Sequence, residues 1–66
     1  MKYNISKILD HNEVILFQNM LESDALQLIG QLIEQYANNL TSEYPDISEL
    51  DAINIAEAKF LLIAVD

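Results

Sequence analysis

The densest chemistry in the sequence is a run of four carboxylates, Glu43, Asp46, Glu49 and Asp51, within nine residues. Oxygen-rich clusters bind calcium or magnesium when loop spacing wraps them round one ion. This stretch lacks the Asp-x-Asp-x-Asp-Gly order of a calcium loop and contains no glycine. Part of its acidity suits a helix start, where the positive end of the helix dipole favours carboxylates. The remainder offers a surface of one charge sign to a basic partner. Tyr44 lies inside the run, beside Pro45. Exposed, it would anchor a partner, since aromatic side chains are enriched in binding hot spots; packed under the turn, it would be only a lid. Glu43, Tyr44, Asp46, Glu49 and Asp51 are therefore the candidate partner-binding residues.

His11 is the one histidine, the side-chain type that most often serves as a general base or metal ligand, and Asp10 and Glu13 flank it. A carboxylate-tuned base or a divalent site can be drawn around it, but a lone histidine lacks both a nucleophile to activate and the further ligands that metal chemistry needs. Its plainer role is in a capping box, Asp10-His11-Asn12-Glu13, at the start of a helix.

The segment Ser48-Glu49-Leu50-Asp51 is similar to the Ser-Gln-Glu-Leu-Asp that small helical-hairpin phosphatases of the sporulation phosphorelay carry on their second helix, although the glutamine is missing here. The resemblance covers four residues. It implies a helical hairpin in which Asp51 supports dephosphorylation of an acyl phosphate. Read from the residues themselves, Ser48 is an ordinary N-cap with acids in the following turn.

Other chemistries are excluded by what the 66 residues lack. There is no cysteine, hence no disulfide framework or thiolate metal site, and the single glycine forbids a phosphate loop, a dinucleotide fingerprint or a nucleophile elbow. A chain this short also cannot enclose a substrate pocket and keep its own core, so catalysis and cofactors are not expected. Lys2, Lys7 and Lys59 are the only cations against eleven acids, a net charge of −8, which cannot supply the basic patch that grips a phosphate backbone or an anionic membrane. No apolar run exceeds the six residues from Phe60 to Val65, and the polar Met1-Lys2-Tyr3-Asn4 start offers no leader-like apolar region. The expectation is a soluble cytoplasmic protein, in which the sequons at Asn4 and Asn39 have no meaning.

The elements that must position these residues read as helices. Apolar residues make up 52% of the chain, including nine isoleucines and ten leucines, enough to form a core, and most fit 3.6 residues per turn. Ile5, Ile8 and Leu9 suggest a short lead-in helix, and the Asp10 box opens a first full one. Ser23 and Asp24 open a second, in which Leu26, Ile29, Ile33, Tyr36 and Leu40 form a heptad seam. Gly30 at the edge of that seam marks close approach by another helix. Pro45 ends it, and Ser48 caps a third helix that is apolar nearly all round, with Leu50, Ile53, Phe60 and Leu61 on one side and Ile55 and Ile63 on the other. A competing reading makes Phe60 to Val65 a terminal β-strand, because a short apolar run cannot be typed by periodicity alone.

The pattern therefore predicts one all-α domain, with helices at about 5–9, 11–22, 24–42 and 48–65. It would be a small antiparallel bundle of three main helices and a short N-terminal one. A helix apolar on every side needs more cover than two short neighbours provide, so a homodimer is expected to complete the fold, through Leu26, Ile29, Ile33, Tyr36, Leu40, Ile53, Phe60 and Leu61. The function expected is a non-enzymatic interaction protein, an inhibitor or modulator of the kind carried by phages and mobile elements. It would cover a basic site on a host protein, and in one version of this reading that site is a nucleic-acid channel. The alternative is an assembly subunit that docks through the apolar C-terminal helix, and the third reading is the phosphatase-like hairpin.

Overall fold

The computed structural model describes residues 1–65. The element order is β1 (Lys2–Leu9), β2 (Asn12–Leu21), α1 (Glu22–Glu43), α2 (Glu49–Glu57) and β3 (Phe60–Val65). The three strands form one antiparallel sheet in the order β2-β1-β3. The fold is therefore α+β, and the all-α helical bundle expected from periodicity is wrong: the helices drawn at 5–9 and 11–22 are the two arms of a hairpin.

Asp10 and His11 form the two-residue turn of that hairpin, with Leu9 opposite Asn12. Asp10 adopts a left-handed φ of 54°, a conformation that Asp tolerates because its short polar side chain bonds locally. What looked like a capping box is thus a strand reversal, and β-branched and aromatic residues on either side, Tyr3, Ile5, Ile8, Val14, Ile15 and Phe17, suit the pleated surface. β2 carries two irregularities. Ile5 pairs with Phe17 and Ser6 with Ile15, which leaves Leu16 as an extra residue. Nearer its end, Asn19 takes a φ of 57° and donates its N–H to the Asn4 Oδ1 at 3.0 Å instead of to a strand carbonyl.

α1 starts directly from β2, two residues earlier than expected. Leu21 provides no side-chain cap, and Ser23 lies in the first turn with Glu22 and Asp24. Its 22 residues span about 33 Å. It ends where Tyr44, the residue before Pro45, leaves the helical region and donates its N–H to the Leu40 carbonyl at 2.8 Å. Ser48 caps α2, its Oγ accepting from the Asp51 N–H at 3.1 Å.

The third helix does not run from 48 to 65. It stops at Glu57, and Lys59 donates its N–H to the Ala56 carbonyl before the chain extends into β3. The all-round apolar wheel over residues 50–65 was two periodicities superposed: a helical face of Ala52 and Ala56, then a strand whose residues alternate between the two sides of the sheet. β3 is the terminal strand of the competing reading.

α1 lies across one face of the sheet, touching all three strands, and α2 packs against α1. The covered face carries Ile5, Lys7 and Phe60, since Lys7 and Phe60 are register partners and both meet Tyr36 of α1. The buried hydrophobic residues are Ile5, Ala25, Ala37, Ala52, Ala56 and Phe60. Ala37, Ala52 and Ala56 let the two helices approach closely, and Ile33, Tyr36, Leu40 and Ile47 close around them. Of the residues expected at a core or dimer seam, Phe60 is buried; Ile29, Ile33, Tyr36 and Leu40 are half-buried, whereas Leu26, Ile53 and Leu61 are exposed. Among the described residues nothing lies within 4 Å of where a Cβ on Gly30 would stand, so no second helix approaches it. No helix among the described residues is long and apolar enough to cross a membrane.

Candidate functional site

The turn between α1 and α2 gathers the acidic residues singled out by the sequence. Glu43 closes α1, Asp46 sits in the turn, and Glu49 and Asp51 occupy the first turn of α2. All four side chains are exposed. The turn is held by the N–H of Ile47, which donates to the Tyr44 carbonyl at 3.0 Å, and by the Ile47 side chain, which packs against the alanine cluster between the helices. Tyr44 is 58% exposed and Leu50 68% exposed, so Tyr44 stands clear of the turn and does not act as a lid. The acids are not gathered round an ion: among the described residues no three His, Asp or Glu side chains converge at a common point.

Beside the turn, α1 and α2 enclose a groove of about 490 Å³. Ile33, Ala37, Ala52 and Ile53 give it apolar walls, Glu34 and Glu49 supply its charge, and Asn38 and Thr41 add polar groups. Thr41 is already engaged, its hydroxyl donating to the Asn38 carbonyl at 2.9 Å. Gly30 leaves one part of the groove wide, because it projects no side chain. Glu49 belongs to both features, and groove and acidic turn form one continuous surface.

The lysines lie elsewhere. Lys2 and Lys7 are on β1 and Lys59 precedes β3. The Lys7 ammonium lies 5.5 Å from the centroid of the Tyr36 ring and 5.9 Å from that of Phe60, a cation–π arrangement that holds it on the sheet side of α1.

His11 is exposed in the β1–β2 turn, on an element separate from the acidic turn. Asp51 is on a nine-residue helix with its N–H committed to the Ser48 cap, and the three-stranded sheet replaces the helical-hairpin fold that the four-residue resemblance implied. The groove residues Gly30, Glu34, Asn38 and Thr41 were not among the expected site residues. They recur at intervals of four, four and three along α1, so they share a helix face, but only the placement of α2 turns that face into a groove.

Compared with protein-family models, with curated proteins and with solved structures, the chain matches none.

Proposed function

We propose that this chain is a non-enzymatic inhibitor or modulator that covers a basic site on another protein with the α1–α2 end of its helical layer. One observation carries the reading. Tyr44 and Leu50 are exposed among Glu43, Asp46, Glu49 and Asp51, with no lysine on the turn, and this surface runs into an apolar groove flanked by Glu34 and Glu49. Exposed apolar anchors ringed by one sign of charge fit a basic amphipathic segment, whose apolar side enters the groove while its Lys and Arg meet the carboxylates. A nucleic-acid-binding surface on a host protein has that chemistry, and carboxylates spaced along two helices present it with a field like that of phosphates.

The test uses a basic amphipathic helical peptide rich in Leu and Lys, and a counterpart with Glu in place of Lys. Calorimetry with the intact chain should show binding of the first and none of the second, with an affinity that falls steeply as salt rises. The Asp46→Lys/Glu49→Lys variant should weaken that binding at least tenfold. Binding that is indifferent to salt, or equal for both peptides, would overturn the reading.

A further inference from the structure

β1 is the central strand, so the sheet has two outer edges, and the chain treats them differently. β2 carries the extra residue at Leu16 and the left-handed Asn19, irregularities that break the flat register an incoming strand needs. β3 has neither. Its sequence, Phe60-Leu61-Leu62-Ile63-Ala64-Val65, contains no charge, glycine or proline, and its register with β1 runs unbroken from Lys7↔Phe60 to Lys2↔Val65. Among the described residues no strand pairs with its outer side, and α2, which leads into it, packs against α1.

The phase of the ladder fixes which groups that edge offers. The Ile8 N–H donates to the Lys59 carbonyl at 2.8 Å, which makes Ile8 and Lys59 a hydrogen-bonded pair. Such pairs alternate along an antiparallel ladder. Leu61, Ile63 and Val65 therefore turn their backbone groups toward β1, and Phe60, Leu62 and Ala64 turn theirs outward.

We propose that this edge pairs with the same edge of a second copy, antiparallel about a two-fold axis at Leu62, so that two three-stranded sheets become one continuous sheet. Three features favour a second copy. The first is register. With Leu62 opposite Leu62 and Phe60 opposite Ala64, every outward N–H and C=O of one strand meets its counterpart on the other. Sliding by two residues leaves Phe60 or Ala64 without a strand partner, and sliding by one puts opposite faces together.

The second is shape. The pairing sets the large Phe60 ring beside Ala64, the smallest side chain on the strand, which is exposed although it points to the helix side. On the other side it sets Leu61 opposite Ile63, an apolar cross-strand pair. The third is charge. Two chains of −8 repel each other, and β3 brings no carboxylate into the paired segment, with Lys59 directly before it.

Sedimentation and light scattering on the full chain at several concentrations, joined to amide exchange, test the proposal. The expected mass is twice that of the chain. The Leu62 and Ala64 amides should exchange at least tenfold more slowly at dimeric than at monomeric concentrations, whereas Leu61 and Ile63, bonded to β1, should be protected at both. Ala64→Pro removes an outward donor that β1 does not use and should give a monomer with unchanged far-ultraviolet circular dichroism. If that variant fails to fold, Ala64→Glu decides: it keeps the donor, places a carboxylate beside Phe60 of the other copy, and should raise the dimer dissociation constant at least tenfold. The dimer should tighten as salt rises, opposite to the binding of a basic peptide, because salt screens the repulsion between the chains and leaves the backbone pairing intact. A chain that is monomeric at every concentration overturns the proposal. So does a dimer that weakens with salt, or one in which the Leu62 and Ala64 amides stay unprotected.

Discussion

The Phe60 ring meets the Tyr36 ring edge-on, with centroids 6.0 Å apart and planes at 86°, and through this contact the last strand is fastened to the long helix. The Lys7 ammonium lies within cation–π reach of both rings, so β1, β3 and α1 converge on one cluster. Apart from Ile5, the other buried hydrophobic residues are alanines, which leaves Phe60 as the largest apolar side chain in the core. Phe60→Ala should therefore lower the free energy of unfolding by about 3 kcal/mol, and Phe60→Leu by much less, because leucine refills most of the volume. Urea denaturation followed by circular dichroism measures both. A loss below about 1 kcal/mol for the alanine variant would show that β3 is not held by this contact.

Ser48 makes the one side-chain cap of α2, and α2 is only nine residues long. A short helix depends heavily on its ends, because the first four N–H groups have no partner within it. Ser48→Ala should cost about 1 kcal/mol, whereas Ser48→Asp should be close to neutral, since aspartate caps as well as serine does. As α2 supplies Glu49 and Asp51, the alanine variant should also loosen the acidic turn, seen as faster amide exchange at Asp51.

Ser6 sits in the middle of the central strand, fully buried, and its Oγ has no hydrogen-bond partner among the described residues. A hydroxyl withdrawn from water without compensation is a net loss, so Ser6→Ala should stabilise the chain by about 1 kcal/mol. In a chain of this size that corresponds to a rise of about 4–8 °C in the midpoint of thermal unfolding, compared at one protein concentration. A lower midpoint would mean that the hydroxyl is satisfied in the assembled protein.

These residues also show what could be read from sequence. The Ser48 cap and the end of α1 before Pro45 were legible because capping and proline sterics are local. The hairpin was not. Ile5, Ile8 and Leu9 fall at helical spacing by coincidence, and in β2 the extra residue at Leu16 and the left-handed Asn19 each shift the phase of alternation, so no period of two survives across Val14 to Leu21. Asp10-His11-Asn12-Glu13 fits both a capping box and a tight strand reversal, and strand pairing with β3, some fifty residues away, selects between them. The same division holds at the candidate site. Glu43, Asp46, Glu49 and Asp51 are neighbours in sequence and therefore neighbours in space, whereas the groove depends on how α2 folds back along α1, which only long-range packing decides.

Gly30 links stability to the proposed binding surface. It lies within α1 at an ordinary negative φ, and a Cβ there would meet nothing within 4 Å. Glycine in a helix interior costs roughly 1 kcal/mol relative to alanine through the backbone freedom it retains when unfolded, so Gly30→Ala should raise the unfolding midpoint by about 4–8 °C. The added methyl group would also project into the groove that Gly30 lines. If a basic amphipathic segment packs there, the same variant should bind it more weakly, although it removes no charge and makes the chain more stable. Opposite signs in the two measurements would assign the apolar part of the contact to the groove. A stabilised chain with unchanged affinity would move the contact to Tyr44, Leu50 and the acids around them.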